Sequence, residues 1–184
     1  MSSPYELLAG LALLREKRRQ QDRSEQSGLA ARSVLVVTVA GRTCAISQDV
    51  IEEILAQDNL ASVKEVEPWI LGIGYFRGKL LNVVDAAMLF FGQEKDILSY
   101  QTARILVVQG EKEWFGLMVE ELLGIRHVWS DRVDKSVSGA RNDDWLGFSD
   151  QKIEIEGQIL PVLQLKKLVC MLERHGKPVV DALS

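Results

Sequence analysis

The strongest constraint on this chain is that it repeats itself. Gly157-Gln158-Ile159-Leu160-Pro161-Val162-Leu163 matches Gly78-Lys79-Leu80-Leu81-Asn82-Val83-Val84. Each run leads into a short apolar segment of helical spacing, Leu165 to Leu172 in one case and Ala86 to Phe91 in the other. Upstream, Val119-Glu120-Glu121-Leu122 echoes Val50-Ile51-Glu52-Glu53-Ile54 in the same relative place. Matched stretches in one order define two units of roughly 70 residues with the same strand order. A unit that short cannot make a large flat sheet without exposing edges, so it is expected to curl into a small closed barrel.

The strand signals agree. Val34 to Val39 is β-branched, Thr43 to Ile46 returns as a second strand, and Gly41-Arg42 is the expected turn between them. Ile70 to Phe76 and Lys79 to Val84 are apolar runs separated by Arg77-Gly78, again a hairpin signature. Arg104 to Val108 and Trp114 to Val119 flank a turn at Gly110-Glu111-Lys112. The polar stretch from Ser130 to Asp144, with its charges and Gly139, is expected to be free of strand. The result is a mostly β chain of two five-stranded barrels, with a short helix after each barrel motif. The two units are expected to interleave, over roughly 33–100 and 101–174, with a tail at 175–184.

Residues 1–32 differ in composition from the rest. Leu7, Leu8, Leu11 and Leu14 recur at helical spacing and are followed by an almost wholly polar run from Arg15 to Gln26. This predicts an N-terminal arm, helical or partly disordered, that docks on a partner or membrane surface, packs back on its own domain, or frays. The apolar run is too short to span a bilayer, and its positive charges follow it rather than precede it, so neither membrane insertion nor secretion is expected. The expected compartment is the cytoplasm, where Cys44 and Cys170 stay as thiols.

Chemistry is scarce. His127 and His175 are far apart, and no HExxH, CxxC or Gly-x-Ser-x-Gly pattern occurs, so no enzyme, metal or cofactor is expected. Gly72-Ile73-Gly74 lacks the third glycine of a dinucleotide loop and is read as a bend or a close backbone approach. Glu52-Glu53 and Glu120-Glu121 are read as solvated charge at barrel rims. Trp69, Trp114, Trp129 and Trp145 are read as core or barrel-capping residues. A net charge of −4 disfavours a nucleic-acid partner. A small-barrel binder of nucleic acid or oligosaccharide is the alternative reading. Arg77 remains: an arginine at a hairpin tip, flanked by Phe76 and Gly78, presents its fork from a rigid mount and suits recognition of a carboxylate or a helix surface.

The run Ile70-Leu71-Gly72-Ile73-Gly74-Tyr75-Phe76-Arg77-Gly78-Lys79-Leu80-Leu81-Asn82-Val83-Val84-Asp85 resembles the CheW-like family of coupling proteins. The glycine, the Arg-Gly pair, the Val-Val doublet and Asp85 are kept. Tyr75 stands where asparagine is usual, Asn82 where proline is usual and Ala86 where leucine is usual, while Pro161 holds the place of Asn82 in the second repeat. The resemblance extends over most of 33–174. It implies two SH3-like five-stranded β-barrels with a groove between them, and a non-catalytic adaptor. In that reading a methyl-accepting chemoreceptor tip packs in the groove, and a CheA-like histidine kinase regulatory domain pairs with the barrel ends. Carried over by position, Arg77 and Gly78 form the receptor-contact turn. Ile51 and Glu53 match an apolar and an acidic position used in coupling, and Gly116 and Val119 match the second wall of the groove. The arm and the diverged motif resemble the PilI-type members, which serve pilus-linked twitching.

Overall fold

The computed structural model describes residues 31–57, 60, 61, 63, 66–93, 101–129, 133, 134, 145 and 147–175. Most of the arm and the tail therefore lie outside the described residues. The strands are β1 (Ala31–Val39), β2 (Arg42–Ser47), β3 (Glu53–Ala56), β4 (Ile70–Phe76), β5 (Lys79–Asp85), β6 (Arg104–Gln109), β7 (Trp114–Val119), β8 (Glu121–Trp129), β9 (Val133–Asp134), β10 (Ser149–Ile155) and β11 (Gln158–Leu163). Helix α1 (Ala86–Phe91) follows β5, and α2 (Leu165–His175) follows β11. The expected arm boundary at residue 32 is corrected, because Ala31 and Arg32 already pair with Trp129 and Val128 in β8.

Two sheets result, ordered β8-β1-β2-β11-β10-β9 and β3-β6-β7-β5-β4. Apart from the two-residue β9, each has five strands, as the repeat predicts. Neither sheet is made from one half of the chain alone. A 3-10 turn at Gln48–Val50 carries the chain out of the first sheet, and β3 pairs antiparallel with β6, Glu53 opposite Val107. At Glu120 the chain crosses back, and β8 pairs antiparallel with β1. Each barrel thus combines one hairpin from one half of the chain with the later strands of the other half. β11 joins β2 in parallel and β5 joins β7 in parallel.

This exchange follows from strands that are apolar on both faces, which need cover on both sides. Val34, Val36 and Ala45 fill the first barrel with Val128, Ile153 and Leu160. Leu81, Val83, Ile105, Val107 and Met118 fill the second. The alternate residues of the same strands, among them Leu35, Val37, Ile46, Leu106, Val108, Phe115 and Leu117, meet in a third cluster shared by both sheets and both helices.

Three hairpins turn on two residues of positive φ: Ala40 and Gly41 (52° and 72°), Arg77 and Gly78 (48° and 80°), and Glu156 and Gly157 (52° and 80°). Two consecutive left-handed residues make the tight turn whose twist matches that of antiparallel strands. The first turn lies one residue earlier than expected, because Arg42 already opens β2 opposite Val39. The stretch from 130 to 144 is not free of strand either, since Val133 and Asp134 pair with Ile153 and Lys152. A short strand here borrows the exposed edge of β10, which the local charges do not prevent.

Asp85, the acid of the repeated motif, has a structural task. It is buried, and its Oδ1 accepts hydrogen bonds from the Ala87 and Met88 N–H groups at 2.8 and 3.2 Å, capping α1. Its own N–H donates to the Trp69 carbonyl at 2.8 Å, as Gln164 before α2 donates to Phe148 at 2.9 Å. At the far end of α2, Glu173 Oε1 accepts from the Lys112 and Glu113 N–H groups at 2.9 and 3.2 Å, tying that helix to the β6–β7 turn. Replacing Asp85 by alanine is expected to lower stability by about 1–2 kcal/mol in urea titrations, with an unchanged slope.

Candidate functional site

β3 and β4 are the two ends of the second sheet, and the barrel closes where they meet. Ala61 and Ile73 exchange backbone hydrogen bonds of 2.9 Å in both directions. Beyond them, Arg77 Nη2 donates to Glu53 Oε2 at 2.9 Å, with 65% and 40% of the two side chains exposed. The guanidinium carbon also stands 4.9 Å from the centre of the Phe76 ring, which is buried and packs against Trp114 with centroids 5.2 Å apart. Arg77 is therefore not the free outward fork that the turn alone suggests. It is held on two sides, and among the described residues its ion pair engages only Nη2.

Three of the six predicted site residues come together here. Arg77, Gly78 and Glu53 share one solvent-facing surface, whereas the other three lie inside. Ile51 is 3% exposed and Val119 is 0% exposed, both in the shared apolar cluster. Gly116 is buried in β7, and a Cβ there would stand 2.5 Å from Ile105 Cγ2 and 3.2 Å from Leu81 Cδ2. Ile51 and Val119 pack in the layer between the sheets, and Gly116 faces the interior of the second barrel. Their apolar pattern in the sequence reports packing.

Other sequence readings sort by burial as well. Glu120 is 9% exposed rather than solvated, and its Oε2 accepts from the Gly41 N–H at 2.9 Å, so the crossover is anchored to the β1–β2 turn. Trp145 is buried and Trp69 and Trp114 are half-buried, but Trp129 is 47% exposed on β8. At Gly74 a Cβ would stand 3.4 Å from Leu60 Cδ2, an ordinary side-chain contact rather than a close backbone approach, while the register of β4 against β5 shifts between Ile70 and Gly72. Asn82 is buried, and its Nδ2 donates to Glu113 Oε2 at 2.7 Å. It lies inside the β5–β7 ladder, which begins at Leu81, whereas Pro161 precedes the β11–β2 ladder, which begins at Val162. That placement explains why the second unit accommodates proline at this point.

The interior offers little chemistry. Among the described residues no group of three or more His, Cys, Asp or Glu converges as metal ligands would. Burial pushes the Cys44 thiol up from its ordinary range, leaving a neutral interior thiol. The apolar cavity lined by Val84, Val108, Phe115, Leu168 and Leu172 holds about 10 Å³, room for one water at most.

Two strand-exchanged barrels share one packed layer and carry charged side chains on exposed hairpin ends. The chain belongs to the CheW-like domain family, whose model matches residues 33–173. Protein PilI of Pseudomonas aeruginosa is 25% identical over 127 residues, covering 69% of this chain and 70% of that protein. The crystal structure of the scaffolding protein TtCheW from Thermoanaerobacter tengcongensis superposes with a TM-score of 0.63 at 18% identity, covering 74% of this chain and 86% of the other. That likeness shows the fold. No helix among the described residues is long and apolar enough to cross a membrane.

Two measurements separate the inner from the outer positions. Gly116→Ala is expected to lower stability by about 1–3 kcal/mol, since the added methyl overlaps Ile105. A double-mutant cycle on Arg77 and Glu53 should return a coupling below about 1 kcal/mol, as for other exposed pairs.

Proposed function

We propose that this protein is a non-catalytic adaptor of the cytoplasm that couples a methyl-accepting chemoreceptor to a CheA-like histidine kinase. Family membership supports the adaptor role, and the likeness to PilI supports an output through type IV pili and twitching. In this reading the receptor's helical tip contacts Arg77, Gly78 and Glu53, and the kinase's regulatory domain pairs with the barrel ends. The observation that carries the site is the mount of Arg77. A cation fixed by Glu53 and Phe76 at an exposed barrel seam loses little side-chain entropy when a partner carboxylate arrives. The alternative of a nucleic-acid or oligosaccharide barrel finds no stacking row among the described residues: Trp145 is buried, Trp69 and Trp114 are half-buried, and the exposed Trp129 and Tyr75 stand on different sheets.

Arg77→Ala tests this reading by calorimetric titration with a helical receptor-tip fragment. The variant is expected to fold as the wild type does and to bind about 30-fold more weakly, the equivalent of roughly 2 kcal/mol for a central interface arginine. Equal affinities would remove Arg77 from the contact.

A further inference from the structure

The chain passes from one sheet to the other between β2 and β3 and returns between β7 and β8, and the two joints are built differently. At the return, backbone and side chain of Glu120 are both tied down. Its N–H donates to the Thr38 carbonyl at 3.0 Å, its carbonyl accepts from Thr102 Oγ1 at 2.9 Å, and its Oε2 accepts from the Gly41 N–H at 2.9 Å. The first joint is the 3-10 turn Gln48–Val50, closed by the Ile51 N–H donating to the Gln48 carbonyl at 3.2 Å. No side chain caps that turn, and the Ser47 hydroxyl donates to Asp49 Oδ1 instead. Gln48 is 3% exposed, yet among the described residues neither Nε2 nor Oε1 of its amide has a hydrogen-bond partner. At Asn82, the buried amide of β5, Nδ2 at least is satisfied by Glu113.

We infer that the first joint is a hinge: the turn Gln48–Val50 opens locally while both barrels stay folded, and opening carries the Gln48 amide to water. Taking a primary amide out of water without partners costs more than one long backbone hydrogen bond returns, so the closed turn is disfavoured by its own polar groups. Little else holds it shut, since Asp49 is exposed and Val50 only half-buried. The chain is fixed on either side. Ser47 is still opposite Val34 in the β1–β2 ladder, Ile51 is 3% exposed in the shared layer, and the Glu52 N–H donates to the Val107 carbonyl at 2.8 Å. The movement is therefore confined to three residues and releases the Ile51 N–H without moving the Ile51 side chain. One locked joint and one that opens give the barrels a single place to flex against each other, as hinges at element ends do. That place lies three residues before Glu53 of the Arg77 seam.

Amide hydrogen exchange of the full chain at low urea concentrations, followed residue by residue by NMR, tests the hinge. In the wild type the Ile51 N–H should exchange at least about a hundredfold faster than the Glu52 and Glu120 N–H groups, with a rate that does not rise with urea, because a local opening exposes little surface. Gln48→Leu and Gln48→Met remove the amide at similar volume. Each should slow Ile51 exchange tenfold or more and leave the thermal midpoint unchanged or raised. An Ile51 N–H as protected as that of Glu120 in the wild type overturns the hinge. So does an Ile51 rate that both variants leave unchanged, since the amide would then not drive the opening. Variants that lose thermal midpoint, exchange faster at Ile51 or fail to fold overturn it as well, because the amide would then be satisfied in the closed turn.

Discussion

The structure depends on one apolar layer, the cluster in which Leu35, Val37 and Ile46 of one sheet meet Leu106, Val108 and Leu117 of the other. Strands that feed this layer with one face and a barrel interior with the other are covered on both sides. They have no solvent face to give away, and the β1–β2 and β6–β7 hairpins sit inside their sheets rather than at an end. The strand exchange and the filled layer between the sheets follow from that arrangement. The barrels are then coupled mechanically, because neither can lose a hairpin without opening the shared layer.

Carboxylates complete what apolar packing leaves open. Asp85 satisfies the first N–H groups of α1, Glu120 holds the β1–β2 turn, and Glu173 holds the β6–β7 turn from the last turn of α2. In each case an acid binds backbone N–H groups that have no partner within their own element. The motif acid shared with the family is thus a structural residue. What the fold leaves for recognition is the surface of the hairpin ends, where the backbone is rigid and the side chains are free to vary.

Variation at those ends is where this chain differs from its own repeat. Identical turns carry Arg77 in one barrel and Glu156 in the other, and Tyr75 in one place with Glu154 in the other. A duplicated scaffold supplies two similar platforms, and substitution of a few exposed residues makes them chemically distinct.

The repeat, read from Gly78 to Val84 against Gly157 to Leu163, determined by itself that the chain holds two barrel units and where their hairpins turn, because a two-residue turn and its flanking strands are local matters. The family was legible for the same reason. Which hairpin joins which barrel was not, since β1 pairs with β8 and β3 with β6 across long stretches of sequence, and pairing at that distance leaves no local mark. Nor could periodicity distinguish a groove wall from a core position: Ile51, Gly116 and Val119 have the pattern of either, and only the tertiary packing buried them. The partnership of Arg77 with Glu53 was likewise decided by closure of the barrel, which brings β3 and β4 together from opposite ends of one sheet.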